Sequence, residues 1–83
     1  MTNSLKKATN QLITSIQTQI ALKQRLIEIA QEVHEKMENG IMPSERLEME
    51  FDQLSHELNR CVSQQLQAEI SLGMNKSIKF VLN

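Results

Sequence analysis

Met37-Glu38-Asn39-Gly40-Ile41-Met42-Pro43-Ser44-Glu45-Arg46-Leu47 is the stretch that decides the fold. Gly40 suits the left-handed position just past a helix C-terminus, with Ile41 placed to fold back on the last turn. Pro43 can open a second helix, because the amide it lacks would be unpaired there anyway. Glu45 and Glu48 then occupy the positive end of that helix. On either side of this punctuation apolar residues recur every three or four positions, which is the helical period. The expected fold is all-α: one domain over the whole chain, an antiparallel two-helix hairpin of coiled-coil type. Its helices cover about 4–39 and about 44–72, with a turn at about 40–43 and a tail at about 73–83.

Thr2, Asn3 and Ser4 are candidate N-caps for the first helix, and neither proline nor glycine interrupts the chain from there to Asn39. At about 100° per residue, Leu5, Ala8, Leu12, Ile16, Leu26, Ala30, Val33 and Met37 cluster on one side. Ile13, Ile20 and Ile27 run along one flank of that cluster, Leu22 and Ile29 along the other. One antiparallel neighbour covers only part of so wide an arc. The hairpin is therefore expected to be completed by oligomerisation or by a partner.

In the second helix Leu47, Phe51, Leu54, Leu58, Cys61, Gln65, Ala68 and Leu72 follow an unbroken alternation of four and three steps, an a/d seam with one polar member. Folding about Gly40 sets Val33 opposite Phe51, Ala30 opposite Leu54, Leu26 opposite Leu58 and Leu22 opposite Val62. One layer in this register is polar, with Gln19 facing Gln65. Such a layer costs stability but penalises shifted registers, because a slipped helix leaves each amide facing hydrocarbon. Gly73 ends or interrupts the seam, and Ile78 to Leu82 read as a final helical turn or an extended tail.

A chain of 83 residues draws only about 3 to 5 kcal/mol from a single core. Its one cysteine, Cys61, cannot staple it internally, and no Cys/His cluster has the spacing of a structural metal site. No metal or cofactor is expected. The single cysteine and the polar start of the chain fit synthesis in the cytoplasm, and no apolar run approaches the roughly 20 residues of a membrane span. The net charge of −1 hides a polarity. Residues 1–27 hold Lys6, Lys7, Lys23 and Arg25 and no acid, whereas residues 28–57 carry a net −7. Folded at Gly40, the chain has an acidic tip and a basic open end.

Catalytic constellations are missing from the pattern. His34 and His56 are each followed by glutamate but form no His-Glu-x-x-His, the spacing a zinc-dependent hydrolase needs. Cys61 falls in the seam, where it acts as a small hydrophobe. Lys6, Lys7, Lys23 and Arg25 could touch phosphates, but no aromatic lies among them and the acidic stretch opposes nucleic acid.

From Pro43 onward, the placing of Pro43, Leu47, Glu48, Phe51, Leu54, Ser63 and Ile70 resembles the second half of type III secretion needle subunits. The chain lacks the tyrosines usual in the middle of that helix. The whole layout, a long helix, the tip Lys36 to Gly40 and a returning helix, also looks like the small helical-hairpin co-chaperones of the same systems. That resemblance implies a hairpin that joins a helical partner and helps keep a needle subunit from polymerising in the cytoplasm.

The reading favoured by the sequence is a non-enzymatic protein-binding hairpin. Ile13, Ile16, Ile20 and Ile27 are the partner-binding residues, and Leu26, Val33, Phe51, Leu54 and Leu58 hold the two helices together. The partner is expected to be a helical protein or a second copy. The alternatives are a self-assembling structural subunit, such as a secretion needle protein, and a small dimeric regulator that contacts nucleic acid through its basic end.

Overall fold

The computed structural model describes residues 2–74 and consists of α1 (Thr2–Glu38) and α2 (Glu45–Ser71), folded back on each other as an all-α hairpin. Expectations for the chain beyond Met74 fall outside the described residues. At 37 residues and about 1.5 Å per residue, α1 is about 55 Å long. Its helix is already formed at Thr2, so Asn3 and Ser4 lie inside the first turn.

The turn is built from two caps. At the end of α1, Ile41 N–H donates to Lys36 C=O at 2.7 Å and Gly40 N–H to Met37 C=O at 3.0 Å. This nested pair is the Schellman arrangement. It requires a left-handed residue, and Gly40 has φ 73°. Nothing lies within 4 Å of a methyl added there, so Gly40→Ala isolates the backbone strain. The substitution is expected to cost about 1 kcal/mol, read as a lower urea midpoint; an unchanged midpoint would show that the turn does not limit stability.

At the start of α2 the cap is Ser44, not Pro43. Ser44 is extended, with φ −73° and ψ 153°, and its Oγ accepts the Leu47 N–H at 3.2 Å. Pro43 therefore stands one residue outside the helix and does not open it. A serine can satisfy one of the orphan amides directly, whereas proline there merely omits one. Gly73, with φ 75°, ends α2 by the same nested bonding, Met74 N–H to Glu69 C=O at 2.9 Å and Gly73 N–H to Ile70 C=O at 3.1 Å.

The seam of α1 differs in phase from the straight-helix expectation. Ala8, Ser15, Gln19 and Ile29 are buried, and Leu12, Leu22, Leu26, Val33 and Lys36 are half-buried. Leu5, Ile16, Ala30 and Met37, expected in the cluster, are exposed. Thr18 apart, the buried and half-buried positions from Ala8 to Lys36 alternate in steps of four and three. A projection at 3.6 residues per turn drifts about 20° per heptad from such a repeat. Over four heptads that drift amounts to most of one residue step, so Ile29 takes the place assigned to Ala30.

The seam of α2 falls where its spacing puts it. Leu47, Cys61 and Ala68 are buried, and Leu54, Leu58, Gln65 and Leu72 are half-buried. Phe51 departs from it at 41% exposure, so it borders the interface without closing it. Along its length the seam changes in character. Toward the tip it contains Ile29, Leu26, Val33, Leu47, Leu54 and Leu58; toward the open end Leu12, Leu22 and Leu72 are interleaved with the small or polar Ala8, Ser15, Gln19, Cys61 and Ala68.

Gln19 Nε2 donates to Gln65 Oε1 at 2.6 Å, with Gln19 only 6% exposed. The polar layer is real and internal. Ser15 Oγ satisfies itself on Leu12 C=O at 3.0 Å, and among the described residues no buried side-chain polar atom lacks a partner.

Candidate functional site

The two long sides of the hairpin are chemical opposites. Reversing chain direction reverses the sense of rotation seen down the axis. Residues one step after the seam on α1 and on α2 therefore share one side of an antiparallel pair, and residues one step before it share the other. On the side one step before, Ala21 is the single apolar residue in either helix; all the other positions are polar or charged.

That polar side carries the one ion pair that links the helices among the described residues. Arg25 donates Nε to Glu50 Oε2 at 2.8 Å and its second guanidinium nitrogen to Glu50 Oε1 at 3.0 Å, and it also reaches Glu28 at 3.2 Å. The hydrogen bonds from Arg25, followed by its charge and that of Arg46, hold the Glu50 carboxyl below the ordinary carboxylate range. Hydrogen bonding to Glu50 and then Glu28 raises Arg25. Both partners are well exposed to water, so the fork orients the helices more than it stabilises them. It also occupies one of the four cations of the basic half, which leaves Lys6, Lys7 and Lys23 as the charges facing solvent there.

The opposite side is apolar. Ile13, Ile20 and Ile27 follow each other at seven-residue spacing and are 53%, 60% and 57% exposed, and Ile16 lies between them at 39%. All four isoleucines singled out from the sequence thus stand on one edge, outside the α1–α2 seam. Two further members were missed. Val62 and Leu66 of α2, 46% and 45% exposed, stand on this same side. Val62 was assigned to the interface opposite Leu22, but Cys61 holds that place. The register set by Gln19 and Gln65 brings Val62 and Leu66 level with Ile20.

Toward the tip the same side opens into a cleft of about 470 Å³ floored by Ile29, Val33 and Leu47 and bordered by Pro43 and Phe51. Glu48 and Asp52 stand on its α2 rim and Ala30 on its α1 rim. The surroundings of the tip are unusually rich in exposed flexible apolar side chains, with Met37, Met42 and Met49 all exposed.

Among the described residues no group of three or more His, Cys, Asp or Glu is placed to hold a metal ion. His34 Nε2 lies 2.8 Å from Glu38 Oε1 one turn on, while His56 sits on the other helix. Cys61 is a free, buried thiol. Among the described residues no helix is long and apolar enough to cross a membrane. Comparison with protein-family models, with curated proteins and with solved structures finds no match to this chain.

Proposed function

We propose that this chain is a non-enzymatic protein-binding module, a small cytoplasmic adaptor or co-chaperone that works by burying the isoleucine side of its hairpin on a partner. The observation that carries the reading is the asymmetry of the two sides. A hairpin that met only water would have no use for lining one edge with Ile13, Ile16, Ile20, Ile27, Val62 and Leu66 while keeping the opposite edge polar. Exposed apolar surface of this kind marks an interaction site.

The sequence resemblance to type III secretion hairpin co-chaperones supplies the cellular setting of the proposal, a partner bound in the cytoplasm before export. An anchor made of rigid β-branched residues fits the groove of a helical partner, since such residues lose little side-chain freedom on burial.

Ile16→Asp with Ile20→Asp is expected to abolish capture of the partner from the native cytoplasm, identified by mass, while far-UV circular dichroism of the hairpin is preserved. Retention of the same partner by the double variant would end the reading. Concentration-dependent filaments of the wild-type chain would instead establish a self-assembling structural subunit.

A further inference from the structure

We propose that the isoleucine side takes a second copy of this chain, packed α1 against α1 and α2 against α2 in antiparallel fashion, about a two-fold axis at the level of Ile20. The inference rests on the reading of that side as a binding surface and names its occupant; a copy and any other partner would compete for it.

Three observations on the molecule converge on this axis. The first is the symmetry of the apolar residues. Ile13 and Ile27 lie seven residues to either side of Ile20. Val62 and Leu66 straddle Gln64, beside the Gln65 that meets Gln19. A two-fold interface must be self-complementary, and here the axis that mirrors α1 also mirrors α2.

The second is the relief of the outer surface of α1. One shallow groove is bounded by Lys6, Thr9, Asn10 and Ile13, another by Ile27, Ala30, Gln31 and His34. Reflection through Ile20 carries the positions of Lys6, Thr9, Asn10 and Ile13 onto those of His34, Gln31, Ala30 and Ile27, although the residue types differ and Asn3 and Lys7 of the first groove and Glu35 of the second have no counterpart. Each copy therefore presents matching grooves at equal distances from the axis.

The third is charge. Ile16, which reflects onto Gln24, departs from the symmetry, and so does charge, since the chain before Glu28 holds four cations and no acid while the tip is strongly acidic. An antiparallel copy lays the Lys6 end of each chain over the His34–Glu38 pair of the other. The parallel alternative stacks acidic tip on acidic tip.

The magnitude of the surface decides how tight this is. From Ile13 to Ile27 the stripe runs about 21 Å, and across two helices about 10 Å apart it offers about 400 Å² per copy. That is half of the roughly 800 Å² that a stable complex buries per partner. The dimer is accordingly a weak one, dependent on the charged ends and loosened by salt.

Cysteine cross-linking in a Cys61→Ala background tests the geometry. Ile20→Cys lies on the axis and should oxidise to a covalent dimer on its own. Ile13→Cys and Ile27→Cys should each link poorly alone, because like positions are about 20 Å from one another, but should link several-fold more when mixed. Sedimentation of wild type should show a monomer–dimer equilibrium that moves toward monomer as salt rises and is lost in Ile20→Arg. Self-linking of Ile13→Cys as strong as the mixture would overturn the antiparallel arrangement, and a wild-type monomer at hundreds of micromolar would overturn the dimer. Partner capture that depends on Ile16 and Ile20 in a strictly monomeric chain would refute this inference alone and leave the proposed function standing; absence of both would remove the two together.

Discussion

Ile29→Ala is expected to take away most of the stability of the hairpin. Ile29 is 1% exposed and is the largest side chain buried to that degree. Truncating such a residue costs about 2 to 5 kcal/mol, the lost transfer energy plus the void left behind. A two-helix chain of this size holds only about 3 to 5 kcal/mol in total, so the loss approaches the whole. Ile29 also floors the cleft beside Val33 and Leu47, so the void opens to water and is not sealed, which sets the expected cost at about 3 kcal/mol. Urea titration followed by circular dichroism should show a midpoint displaced close to zero denaturant, with about 0 to 2 kcal/mol of stability left. Ile27→Ala, two residues away but 57% exposed, should change the isolated hairpin by less than about 0.5 kcal/mol. Equal effects at the two positions would mean that the seam of α1 runs elsewhere.

The second large effect is a gain. Gln19→Leu with Gln65→Leu exchanges one internal hydrogen bond, worth about 1 kcal/mol net, for two buried leucines worth about 1.5 to 3 kcal/mol each. A net stabilisation of about 2 kcal/mol or more is expected. Each single change should do the opposite, because it strands the partner amide in the seam at a cost of about 1 to 3 kcal/mol. The two substitutions are therefore strongly non-additive. The gain carries a penalty in specificity. A seven-residue slip of the wild-type seam sets Gln19 against Leu58 or Leu72, which the amide forbids; with leucine in its place the slipped pairing is tolerated. Thermal melting of the double variant should have a higher midpoint and lower cooperativity. A lower midpoint would place the layer outside the seam.

Where the sequence could be read correctly, the signal was a short-range rule. The reversal at Gly40 follows from its local bonding, and the α2 seam follows from an uninterrupted alternation of steps. The Gln19–Gln65 layer follows from pairing about that turn. In α1 the isoleucines at 13, 16, 20 and 27 form a second regular stripe one step from the true seam. Two stripes on one helix compete for the same partner, and hydrophobicity favours Ile16 over the buried Ser15. Both keep the seven-residue repeat, and what separates them is continuity, since the seam has Leu22 and Val33 where the stripe is broken by Lys23 and His34. The sequence sets Val62 in the interface and assigns Leu66 no side, because the sides of α2 cannot be told apart until the register is known. The union of the α1 isoleucines with Val62 and Leu66 on one edge is a property of the pair of helices, legible in neither alone.

The change along the seam, from an aliphatic run at the tip to leucines interleaved with alanine, serine and glutamine at the open end, also bears on how the chain reaches its native state. The tip brings together residues close in sequence, so closing it loses little chain entropy. Ile29, the largest fully buried side chain, and both caps of the turn are found there as well. Closing the hairpin from the turn outward is therefore the route of least entropy loss. The last layers to close, among them Ala8, Leu12 and Leu72, lie at the ends of the helices and are the first to reopen in thermal fluctuation. The ends that breathe most are those carrying Lys6 and Lys7, so the helix termini can splay and readjust without loss of the fold while the tip keeps the register fixed.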